Sequence, residues 1–88
     1  MEAKIKYPIY RKYPHNRTFF KVLSPDEFEE LQLLGKKYSV SKIKAKILPD
    51  RNFIFDLTFD YKNNWLEIQA AEYEKQLRFC EQNLTFFD

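Results

Sequence analysis

The chain has 88 residues, of which 44% are hydrophobic and 18% aromatic, and its formal net charge is +2. This composition excludes an intrinsically disordered chain, because disorder needs low hydrophobicity and high net charge. A single cysteine excludes an internal disulfide framework, and no stretch approaches the ~18 apolar residues of a membrane-spanning helix. The sequence therefore predicts one compact, soluble domain over residues 1–88, in a reduced, cytoplasmic setting.

The N-terminal segment predicts a β-hairpin. Residues 4–10 alternate between apolar and polar or proline positions, which is typical of a strand. Pro8 cannot donate to a sheet ladder, so this strand belongs at an edge or contains a bulge. Turn-forming residues 13–17 separate it from a second strand over residues 18–23.

The next segment has the pattern of a helix N-terminus. Ser24 can accept from the free amides of a first turn, Pro25 suits the first helical position, and Glu27 completes a capping box. Three apolar residues then recur at helical spacing: Phe28, Leu31 and Leu34. Gly35 is a typical residue at a helix C-terminus. The pattern predicts a helix over residues 25–34.

Two alternating segments, residues 42–47 and 53–60, predict a second hairpin around a turn at residues 49–52. A register in which paired residue numbers sum to 102 places the apolar residues of both strands on one face. The same register forms two charged pairs: Lys46 with Asp56, and Lys42 with Asp60. Most bases of the chain lie in residues 1–46 and most acids in residues 47–88. This asymmetry indicates either an anionic partner or opposite charges that face each other within the fold. The predicted charged pairs favour opposite charges within the fold.

The C-terminal segment carries an apolar stripe at helical spacing. Its members alternate at intervals of four and three residues: Leu66, Ala70, Tyr73, Leu77, Cys80 and Leu84. Asn64 and Glu67 again have capping-box spacing. Residues 65–70 also alternate as a strand would, but the helical pattern extends much further, so we predict helix throughout. The apolar tail, residues 85–88, is expected to pack back on the domain.

The predicted order of elements is β-β-α-β-β-α. It indicates an α+β fold in which a four-stranded antiparallel sheet has both helices packed on one face. Such a sheet leaves its other face and its edges to be covered or protected.

No set of residues has the arrangement that catalysis needs. His15 lies in a turn and is expected to stabilise it, and Cys80 lies on the apolar stripe as an inert core thiol. Gly35 is the single glycine, so no Gly-rich phosphate loop exists. Facing lysines explain Asp56 and Asp60 better than a metal ion does. The sequence predicts a protein that is not an enzyme, with no catalytic, cofactor or metal site.

We therefore expect a small non-catalytic protein–protein interaction module, with a homodimer as its simplest form and no membrane contact. The alternative is weak binding of single-stranded RNA or DNA by the basic and aromatic N-terminal hairpin, where cations follow phosphates and rings stack on bases. Its candidate anion-binding residues are Lys6, Tyr10, Arg11, Lys12, Tyr13 and Arg17. The isoelectric point of about 8.6 falls short of the usual footprint of nucleic-acid binding.

Overall fold

A computed structural model describes residues 5–87 of the chain. Within that range the elements are β1 (Ile9–Lys12), β2 (Thr18–Ser24), β3 (Glu27–Leu34), β4 (Lys37–Lys44), α1 (Leu48–Phe59), β5 (Leu66–Ile68), α2 (Ala70–Asn83) and β6 (Thr85–Phe86). Lys4, where the first strand was predicted to begin, and Asp88, the end of the predicted tail, lie outside the described residues.

The described strands form one six-stranded sheet in the order β5-β1-β2-β3-β4-β6. Neighbouring strands are antiparallel except β4 and β6, which are parallel. The α+β class is confirmed, but the predicted four-stranded antiparallel sheet is wrong. Four consecutive strands, β1 to β4, form the centre, and the short strands β5 and β6 extend it on each side.

The first hairpin is present, and it begins later than predicted. Strand β1 starts at Ile9, so Pro8 precedes the ladder and its missing N–H interrupts no pairing. The turn is closed by the amide of Tyr13, which donates to the carbonyl of Thr18 at 3.0 Å. Asn16 has a φ of 62°, a left-handed conformation that asparagine tolerates better than most residues.

The predicted helix over residues 25–34 is wrong, because this segment contains a turn and strand β3. The amide of Asp26 does donate to the hydroxyl of Ser24, at 3.3 Å, but the same local bond occurs in tight turns as well as in helix caps. Strand β3 lies in the middle of the sheet and is covered on both faces. Phe28 packs on one side and Leu31 on the other, so their spacing of three imitates a helical stripe.

The turn between β3 and β4 accounts for Gly35, which the sequence pattern places at a helix C-terminus. Leu34 pairs with Lys37, so Gly35 and Lys36 form a two-residue hairpin connection. Gly35 has a φ of 63°, and both a hairpin turn and a helix C-terminus need such a residue.

The predicted second hairpin, with its register summing to 102, is also wrong. Residues 48–59 form α1, with Pro49 in the first turn, where a missing N–H leaves no bond unmade. The predicted pairing of Lys46 with Asp56 and of Lys42 with Asp60 does not form. Lys42 ends up opposite Glu29 instead, because strand β4 pairs with β3.

The two helices cover opposite faces of the sheet, which corrects the prediction that both lie on one face. Phe19 and Phe20 are consecutive on β2 and therefore point to opposite sides. Phe19 belongs to a buried cluster with Tyr73 and Cys80 of α2. Phe20 belongs to a second cluster with Ile54 of α1. The molecule thus has two hydrophobic cores on one sheet.

The C-terminal region combines both interpretations of its sequence. Residues 66–68 form the edge strand β5, and the helix begins at Ala70 rather than near residue 64. Tyr73 and Cys80 are buried, as the apolar stripe predicts. The tail packs back, with the rings of Phe86 and Tyr38 5.3 Å apart. Neither helix of the described range is long and apolar enough to cross a membrane.

Candidate protein-interaction site

The basic and aromatic residues of the first hairpin divide between interior and surface. Tyr10 is buried, with its ring 5.4 Å from that of Tyr73. Tyr13 is half-buried and packs against Phe20 and Trp65. Both rings pack in the two cores, so Tyr10 offers no stacking surface and Tyr13 only a part of its ring.

The cations of this hairpin also have different environments. Lys12 binds Glu72 of α2 at 2.7 Å. Arg11 is only 5% exposed, and its Nε donates to the carbonyl of Leu57 at 2.9 Å. Lys6 and Arg17 are exposed. Of the six residues predicted to bind anions, these two remain as exposed cations.

Arg11 joins strand β1 to the end of α1. The carbonyl of Leu57 lies near the helix C-terminus, where the negative end of the helix dipole favours a cation. The guanidinium also stacks over the ring of Tyr61, 3.7 Å from its centroid. Burial lowers the pKa of Arg11, while nearby Tyr61 and Glu67 act in the opposite direction. These contacts give Arg11 a structural role.

The other reactive side chains are also held by the fold. His15 is exposed, and its Nδ1 accepts from the amide of Arg17 at 3.0 Å. Cys80 is fully buried, and burial raises the pKa of its thiol. Tyr73 donates to Glu29 at 2.7 Å, and its pKa is raised chiefly by burial and by that bond. Among residues 5–87, no three His, Cys, Asp or Glu side chains are placed to hold a metal ion.

The outer face of α1, with the residue just before the helix, carries the most exposed large hydrophobic side chains of residues 5–87. Leu48 is 69% exposed, Phe55 57% and Phe59 56%, and the two phenylalanine rings lie 5.0 Å apart. Ile47, just before the helix, is also exposed. We call Ile47, Leu48, Phe55 and Phe59 the outer row. The inner face of the same helix packs on the sheet.

Sequence reasoning missed the outer row because residues 53–60 were interpreted as a strand. That interpretation placed Phe55 and Phe59 together on the core face of a sheet. One available signal was Pro49, which suits the first turn of a helix. A helix that begins there puts Leu48, Phe55 and Phe59 on one side, at intervals of seven and four.

The outer strands of the sheet offer little surface for a partner strand. Strand β5 has three residues and β6 has two, and short edge strands are a common protection against pairing between molecules. Beyond the short contact with β6, strand β4 continues with exposed lysines at Lys42 and Lys44. Lysine on an open edge also disfavours strand addition.

Comparison of the chain with protein-family models, with curated proteins and with solved structures finds no match.

Proposed function

We propose that the protein is a non-catalytic interaction module that forms a homodimer through the outer row of α1. The observation that carries this proposal is that α1 is apolar on two opposite faces. An apolar face of a helix is typically buried against another element. The sheet covers Ile54 and Leu57 on the inner face, and a partner would cover Phe55 and Phe59 on the outer face.

The size of the outer row suits a weak dimer. Since an aromatic side chain presents about 150–250 Å², the exposed parts of the four side chains amount to roughly 400 Å². A standard interface takes roughly 800 Å² from each partner, so polar neighbours would supply the remainder. We therefore expect a reversible dimer with a micromolar Kd.

A second copy is the partner that the surface fits best. Closed two-fold dimers are the commonest protein assemblies, and they require a surface that complements itself. The outer row has this property, because Arg51 lies on one side of it and Asp56 on the other. The short edge strands offer little surface for a partner strand, so we place the dimer contact on the outer row.

Sedimentation velocity over a concentration series, from roughly 1 μM to 1 mM, tests the proposal. We expect wild type to pass from monomer to dimer and Phe55→Lys to remain monomeric. Phe79→Lys is the matched control, because Phe79 is 49% exposed on α2, and it should dimerise like wild type. A wild type that is monomeric throughout contradicts the proposal, as does a dimer that survives Phe55→Lys.

The same samples test the nucleic-acid alternative with a fluorescent single-stranded oligonucleotide in a salt series. Lys6 and Arg17 are the exposed cations of the hairpin, so their joint replacement by alanine should abolish any such complex. Salt-sensitive binding by a monomeric wild type, lost in that double variant, would replace the dimer proposal with the nucleic-acid one.

A further inference from the structure

The outer face of α1 continues as the pattern of a coiled coil. In a heptad written abcdefg, the core positions a and d face the partner helix. Four exposed residues of α1 take these positions: Leu48 (d), Asn52 (a), Phe55 (d) and Phe59 (a). Their intervals of four, three and four residues match the heptad throughout the helix. The polar member, Asn52, lies between apolar ones.

Opposite charges stand on the two flanks of this seam. Arg51 takes position g, just before Asn52, and Asp56 takes position e, just after Phe55. Neither forms an ion pair with another residue of the described range 5–87. Arg51 is exposed and Asp56 is half-buried, so neither charge is enclosed by the monomer.

We infer that the two α1 helices of the dimer lie parallel, with Arg51 of each copy bound to Asp56 of the partner subunit. This inference rests on the self-association proposed above. A two-fold axis along parallel helices brings opposite flanks together, so each g residue meets the e residue five positions further on in the partner. The seam thus forms two equivalent ion pairs and complements itself.

An antiparallel pair of α1 helices would lose the two ion pairs and the contact between the two Asn52 side chains. Equal flanks then meet, so Arg51 approaches Arg51 of the partner subunit, and Asp56 approaches Asp56 of the partner subunit. Position a also faces position d, which sets the amide of Asn52 against leucine or phenylalanine with no polar partner. In the parallel pair, Asn52 lies against Asn52 of the partner subunit, and the two amides can bond to each other.

Disulfide cross-linking measures the orientation directly. In a Cys80→Ala background, which removes the native thiol, Asn52→Cys should give a covalent dimer under mild oxidation because the two positions meet in a parallel pair. Gln82→Cys, on the exposed surface of α2, is the control and should remain monomeric on a denaturing gel. A dimer in which Asn52→Cys fails to cross-link contradicts the parallel arrangement.

Charge reversal provides a second measurement that needs no cysteine. Arg51→Asp and Asp56→Arg should each raise the dimer Kd about tenfold, since each turns two attractions into repulsions. The double variant restores opposite charges and should return the Kd to near the wild-type value. Single variants that dimerise like wild type contradict the parallel pairing but leave the proposed dimer standing. A wild type that never dimerises contradicts both.

Discussion

Arg11 is the cation that this fold buries most deeply among its described residues, and no carboxylate lies within ion-pair distance of it. Its charge is balanced by a helix carbonyl and by the face of Tyr61. Both interactions are weaker than a buried carboxylate pair, but both have a fixed geometry that a planar guanidinium fits. Arg11 therefore fixes the position of the α1 C-terminus relative to strand β1.

We predict that Arg11→Ala lowers the free energy of unfolding by about 2 kcal/mol, a typical cost for a hydrogen bond to a charged group. The loss leaves the buried carbonyl of Leu57 without its donor. Urea denaturation measures the change, at a protein concentration below the dimer Kd. Arg17→Ala, on the exposed turn, is the control and should unfold like wild type. Equal midpoints for the two variants would contradict the structural role.

A hydrogen bond in the turn between β2 and β3 should affect the stability of the protein in acid. The hydroxyl of Ser24 donates to the carboxylate of Asp26 at 2.7 Å, and this bond is the main cause that lowers the pKa of Asp26. A lowered pKa in the folded state adds stability above the unfolded-state pKa, and that stability is lost as the pH falls through the folded-state pKa.

Ser24→Ala should therefore raise the pKa of Asp26 toward its ordinary value and reduce the loss of stability in acid. An NMR titration of the Asp26 carboxyl measures the pKa, and Ser41→Ala on the exposed part of β4 serves as control. An unchanged pKa in Ser24→Ala would show that the hydroxyl does not hold the carboxylate.

Within helix α1, two consecutive residues differ in burial, and their substitutions should therefore differ in their effect on stability. Ile54 is 2% exposed against the sheet, whereas Phe55 points outward. Ile54→Ala should lower the free energy of unfolding of the monomer by about 2–5 kcal/mol, as core truncations do. Phe55→Ala should leave it nearly unchanged in the same urea series. A large loss in Phe55→Ala would mean that the outer row belongs to the monomer's own core.

The first hairpin and the part of the apolar stripe beyond residue 70 could be predicted because each of these patterns has a single interpretation. Turn residues between two alternating segments favour a hairpin, and the stripe through Tyr73 and Cys80 extends too far for a strand. The β3 segment could not be predicted in this way. Its local Ser24 bond suits a cap or a turn, and a strand covered on both faces need not alternate.

The outer row could not be predicted because its helix was not. In residues 53–59, Phe53, Phe55 and Phe59 fit one face of a strand, while Ile54 and Leu57 fit one face of a helix. The segment is apolar on most sides, and periodicity then gives little information. The decision depends on tertiary structure, since β4 already pairs with β3 and needs no partner from this segment.

At the scale of the whole molecule, one sheet separates two hydrophobic cores. Strands β1 to β4 contribute side chains to both faces, so neither core can form without the strands that the other also needs. Phe19 and Phe20 show this most directly, because one peptide unit links a residue of each core. We therefore expect the two cores to unfold together.

We predict that Phe20→Leu, a change confined to the α1 side, weakens the protection of amides in α2 as much as in α1. The change should lower the free energy of unfolding by roughly 1–2 kcal/mol. If the shared strands make unfolding cooperative, native-state hydrogen exchange will show that decrease in both helices. Ser41→Ala, at an exposed position outside the outer row, is the control and should leave both unchanged. Wild-type protection of α2 in Phe20→Leu would instead mean that each core unfolds on its own side of the sheet.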